Sequence, residues 1–140
     1  MIRYTCLFIG LLSVAFFSSC KTVTYAGQTM RRGSTGVIQS GVCMRSGINI
    51  QTGEKFYTLS TCAHKNGRPD LDWIPVAAGT PVTVSRLEEA GSYTNGYFTR
   101  VYVSLTDPQT GNIIIADANA ILTPVMNGAV RDSNQFLKIE

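Results

Sequence analysis

The sequence carries little charge: 15% of its 140 residues are Asp, Glu, Lys or Arg, and it has one His and one Trp. It also lacks the short patterns that carry common chemistries. There is no C-x-x-C pair for a zinc or redox centre and no G-x-x-x-x-G-K-[ST] loop for phosphates. No serine sits in a nucleophile elbow, and there is no heptad repeat or low-complexity block. No apolar run reaches the roughly 20 residues that cross a bilayer. Hydrophobic residues nevertheless make up 44% of the chain, at a mean hydropathy of +0.09, which excludes disorder throughout. The length allows one domain.

What is present begins with an address. Arg3 precedes an apolar run from Cys6 to Phe17, the layout of a secretory signal over residues 1–19. The run ends in Phe17-Ser18-Ser19-Cys20, which resembles the lipobox of bacterial lipoproteins. The resemblance implies cleavage before Cys20, a diacylglycerol on its sulfur and an acyl chain such as palmitate on the new amino group. Three chains exceed the two signals that stable anchoring needs. Lys21 after the cysteine resembles lipoproteins sent to the outer membrane, facing the periplasm or the cell surface.

Two cysteines then remain in an extracytoplasmic domain, Cys43 and Cys62, and an even pair in an oxidising compartment is most simply a disulfide. Ile48 to Ile50 and Phe56 to Leu59 read as strands around the turn Gln51-Thr52-Gly53-Glu54. A hairpin centred between Thr52 and Gly53 sets Cys43 opposite Cys62, Ile48 opposite Tyr57 and Ser46 opposite Leu59.

Residues 20–36, rich in Thr, Gly and Ser, read as a lipid-anchored tether with one edge strand at Val23 to Tyr25. Thr80 to Leu87 alternates as a strand, with Val82 and Val84 on one side. Tyr97 to Leu105 and Asn112 to Ala116 form a hairpin around Asp107-Pro108-Gln109-Thr110-Gly111; centred on Gln109, it pairs Leu105 with Ile113 and Val103 with Ile115. A helical turn capped by Asp117 and a short strand at Pro124 to Met126 follow. Residues 129–140 read as a polar tail. The fold class expected is all-β: one small antiparallel barrel over 37–128 with the disulfide-stapled hairpin at its N-terminal side. The element order over about 78–127 resembles an SH3-like barrel, with OB-like and lipocalin-like barrels as competitors.

Candidate chemistry is sparse. Cys43, Met44, Cys62 and His64 are soft-metal donors by type, but bonded cysteines neither ligate nor attack. Ser60 and His64 with Asp70 or Asp72 lack the setting of a hydrolase triad. The expectation is a non-catalytic protein with no cofactor and no metal. Charge is split: Cys20 to Pro69 carries seven basic residues and one acid, whereas Asp70 onward carries four basic residues and eight acids. The basic part adjoins the expected anchor and would be drawn to anionic head groups or wall polymers. Nucleic acid does not suit the compartment.

Trp73, Tyr93 and Tyr97 flank two loops and are candidates for a ligand groove. SH3-like barrels often bind peptides or glycan-linked peptides in such grooves. Phe98 and Tyr102 are expected to cover the second face of the sheet. Three functions remain open: a lipid-anchored domain binding an envelope protein or peptidoglycan, an inhibitor of a lysozyme-like enzyme, and a structural subunit of an envelope assembly. The second follows from Gly91-Ser92-Tyr93-Thr94-Asn95-Gly96, which resembles the Ser, Gly and Tyr loop of small β-barrel lipoproteins that block lysozyme.

Overall fold

The computed structural model describes residues 21–25, 27–62, 73–94, 96–122, 125–126, 129–130 and 135–140. The leader, Cys20, His64, Asp70 and Asp72 lie outside them. The chain is all-β, with strands β1 (Thr22–Tyr25), β2 (Gln28–Arg31), β3 (Thr35–Ile38), β4 (Val42–Ile48), β5 (Lys55–Thr61) and β6 (Trp73–Pro75). Then come β7 (Pro81–Ser92), β8 (Gly96–Thr106), β9 (Ile113–Asp117), the helical turn α1 (Asn119–Leu122), β10 (Val125–Met126), β11 (Ala129–Val130) and β12 (Leu137–Ile139). Eight strands form one curled sheet, a half-barrel, in the order β12-β3-β7-β8-β9-β5-β4-β6. The strand β10 expected to complete the barrel pairs instead with β11, outside that sheet.

The inner face of the curl holds the core. Ile38, Val42, Met44, Leu59, Val82, Val84, Val101, Val103, Leu105 and Ala116 are all buried, as the alternation of their strands requires. Ile121 and Leu122 of α1 join them, and the Asp117 carboxylate caps that turn by accepting the Asn119 N–H at 2.9 Å.

The disulfide forms as expected, between Cys43 and Cys62, but the register that led to it is corrected. Cys43 stands opposite Ser60, Ser46 opposite Tyr57 and Ile48 opposite Lys55, so the bridge runs diagonally. The slip is two residues, which leaves every side chain on its expected face. In the second hairpin the slip is one, and the consequence is larger. Leu105 pairs with Ile114 and Val103 with Ala116, so Ile113 and Ile115 point outward and are exposed.

Both corrections have one cause. Asn49-Ile50-Gln51-Thr52-Gly53-Glu54 and Asp107-Pro108-Gln109-Thr110-Gly111-Asn112 build the same four-residue loop, centred between Gln and Thr. In each, the Asn or Asp side chain accepts the Gln N–H, at 2.9 and 2.8 Å. The glycine, at φ 72° and 74°, returns its N–H to the carbonyl of that Asn or Asp. Because Asn49 and Asp107 close the ladders, Ile50 belongs to the loop and is almost fully exposed.

Two further corrections concern the ends. The expected tether is a hairpin, β1 with β2, laid across the inner face. Met30 is fully buried in the core, and the buried Gln28 amide pairs like a strand with β12, donating to the Leu137 carbonyl at 2.9 Å and accepting from the Ile139 N–H at 2.7 Å. The expected polar tail ends in β12, which pairs with β3, and Leu137 and the preceding Phe136 are buried. Burial of two such side chains stabilises by about 3–6 kcal/mol before ordering costs, enough to hold a short segment.

Candidate functional site

The outer face gathers the polar and aromatic side chains. Its central feature is a cross-strand row: Trp73 pairs with Arg45, Arg45 with Thr58, Thr58 with Asp117, Asp117 with Tyr102, and Tyr102 with Arg86. The row crosses β6, β4, β5, β9, β8 and β7, about 24 Å at the usual strand spacing.

Local structure aims each end of it. β7 carries a bulge between Val84 and Arg86, which resets the alternation. Without the extra residue Arg86 would point inward; with it, the guanidinium lies 4.1 Å from the centre of the Tyr102 ring. At the other end Arg45 stacks on Trp73 at 5.6 Å. Gly47 makes room for its neighbour Phe56, whose ring lies over the space a Cβ would fill.

The middle of the row is open. The parallel strands β5 and β9 share two paired positions, Tyr57 with Ala116 and Thr58 with Asp117. Around them lies a cleft of about 510 Å³, lined by Phe56, Thr58, Arg86, Arg100, Tyr102, Ile115 and Asp117 together with Asn49, Glu54 and Lys55. Arg100 Nε lies 3.6 Å from Asp117 Oδ2. Interaction with the Tyr102 side chain, then with Asp117 and Glu88, raises the pKa of Arg100 above the ordinary arginine value. Arg86 Nε lies 3.7 Å from Glu88. The Arg86–Glu88 pair is exposed and contributes little to stability, so Arg86 can exchange its partner for a ligand, whereas Asp117 is half-buried and also caps α1.

The cleft can therefore offer arginine donors, an acidic acceptor, a hydroxyl and an aromatic face. Arginine suits planar anions such as carboxylates, and stacked aromatics suit rings and apolar edges. Bonded to each other, Cys43 and Cys62 supply neither a nucleophile nor a metal ligand.

The groove expected from Trp73, Tyr93 and Tyr97 is not assembled. Trp73 lies on the outer face of edge strand β6. Tyr97 shares the inner-facing parity of Thr99 and Val101 on β8, with three strands between it and β6 in the sheet order. Tyr93 and Tyr97 do meet, edge to face, with ring centres 5.8 Å apart. Tyr102 lies on the second face as expected, but as a member of the row, next to its Arg86 end. Arg45, Arg86 and Arg100 gave no signal in the sequence, because their alignment depends on a bulge and on strands that are not neighbours in sequence. Compared with protein-family models, curated proteins and solved structures, the chain matches none.

Proposed function

We propose that this chain is a lipid-anchored cell-envelope lipoprotein, held at the membrane through acylated Cys20, whose non-catalytic β domain binds peptidoglycan along the row from Trp73 to Arg86. The observation that carries the binding reading is the row itself, six polar and aromatic side chains aligned across six strands with an open cleft at the centre. Its length of about 24 Å suits an extended ligand rather than a compact one. Peptidoglycan offers sugar rings to the aromatic faces and peptide carboxylates to the arginines. The Cys43–Cys62 disulfide favours an oxidising, extracytoplasmic compartment.

The test is co-sedimentation of the purified full chain with isolated sacculi. The parent chain is retained at low salt. Arg86→Ala and Tyr102→Ala together lower retention at least about tenfold, the equivalent of about 1.4 kcal/mol. Equal retention of parent and variant would overturn wall binding at this face and leave an envelope protein as the partner to seek. Separately, Cys20→Ala abolishes palmitate labelling and releases the chain from the membrane fraction; unchanged labelling refutes the anchor.

A further inference from the structure

The hairpin β7–β8 runs far past the core. Leu87 and Val101 are its last cross-strand pair packed on the core, and none of the described residues from Glu88 to Arg100 is buried. Its outer part carries no charge and is rich in aromatics: Ala90 to Thr99 are ten consecutive uncharged residues, three of them aromatic. Tyr93 is 97% exposed, Tyr97 64% and Phe98 45%. Such a ribbon of aromatic and small polar side chains has no core to serve.

The N-terminal end of the described chain is fastened to the base of this same arm. Lys21 Nζ lies 2.7 Å from Glu89 Oε1, and the Tyr25 hydroxyl donates to the Thr99 carbonyl. Glu89 and Thr99 are themselves cross-strand partners. Cys20 is covalently next to Lys21, one Cα–Cα step of about 3.8 Å away. From Glu89 to Tyr93 the strand advances at most about 13 Å. Acyl chains on Cys20 would thus enter the bilayer close beside the arm, and Arg31 and Arg32, at the same open end of the β1–β2 hairpin, would bring positive charge there.

We propose that the tip of the β7–β8 hairpin lies in the head-group layer of the membrane beside the lipid anchor, with Tyr93, Tyr97 and Phe98 as its interfacial aromatics. This rests on the lipoprotein reading above. Tyrosine is suited to that layer because its ring is apolar and its hydroxyl wet, whereas a charge-bearing tip would be held off by desolvation. The domain would then be docked at two points, with an orientation fixed relative to the bilayer rather than swinging on a tether.

The full chain carrying Tyr93→Trp, expressed with its leader, tests this. Acylation of Cys20 is read first by intact mass, and the acylated protein is placed in vesicles of phosphatidylethanolamine and phosphatidylglycerol. Fluorescence of the parent, which reports Trp73, is subtracted. The new indole emits at shorter wavelength than in the Cys20→Ala chain, is quenched by brominated lipid, and loses about threefold in acrylamide quenching on moving into the interface. An acylated, vesicle-bound chain whose new indole stays open to acrylamide and untouched by brominated lipid overturns the docked tip and leaves the anchor standing. An unacylated Cys20 overturns both. Phe98→Trp, on the opposite parity of the ribbon, repeats the readout should the first variant misfold.

Discussion

Removing the Cys43–Cys62 bridge perturbs the unfolded chain more than the folded one. The bond closes a loop of 19 residues' separation. Loop-closure entropy for that length corresponds to about 3 kcal/mol at 25 °C. The folded side of the balance changes little, because β4 and β5 are already held by seven paired positions from Val42–Thr61 to Ile48–Lys55. Over the 120 residues from Lys21 to Glu140, the usual unfolding entropy converts that loss to a fall in Tm of about 12 °C. The assay is urea unfolding of the parent and of the Cys43→Ala, Cys62→Ala double variant, followed by circular dichroism and repeated with reductant. The midpoint should fall and m should rise slightly, since the unfolded chain without a crosslink exposes more surface. Reductant should move the parent to the variant's midpoint and leave the variant alone. A loss below about 1 kcal/mol would refute the entropic account and assign the bridge to another role.

Three other perturbations test particular contacts. Gln28→Ala leaves the Leu137 carbonyl and the Ile139 N–H without their partner and should cost about 1–3 kcal/mol in chemical unfolding; a change within 0.5 kcal/mol, about the scatter of surface substitutions, would contradict the strand-like pairing of Gln28. Gly36→Ala places a Cβ against the Lys138 backbone carbonyl, which cannot swing aside, so β12 should detach and the C-terminal residues become the first site of limited proteolysis. Ile114→Asn should cost about 2 kcal/mol or more and Ile115→Asn less than about 0.5, because the former side chain packs on the core and the latter is exposed. The opposite order would restore the register centred on Gln109.

Much of the fold could be read from local pattern. The alternation in Thr80 to Leu87 and Tyr97 to Leu105 placed the two long strands, and the chemistry of Asp117 placed the cap. Turns were located, but their centres were not, since a four-residue loop and its neighbours in length share the same Asn, Asp, Thr and Gly signals. Both loops turn on the Asn or Asp that accepts the Gln N–H, a detail visible once the two sequences are set side by side. The short strands at Gln28 and Leu137 escaped because their stability comes from partners far away in sequence, Gln28 pairing over 109 residues with Leu137. The row from Trp73 to Arg86 was illegible for the same reason. It exists because β5 lies beside β9 and because one extra residue at Ser85 turns Arg86 outward.

The open curl of the sheet has a bearing on crowding. A half-barrel keeps two edges that a closed barrel would remove, and an unpaired edge is a template for other chains. Here β6 and β12 are three residues each, and Pro75 withholds an N–H from the first while Lys138 puts charge on the second. Among the described residues these two ends of the sheet offer a neighbouring copy little ladder to extend, and the longer unpaired edges are those of the projecting β7–β8 arm.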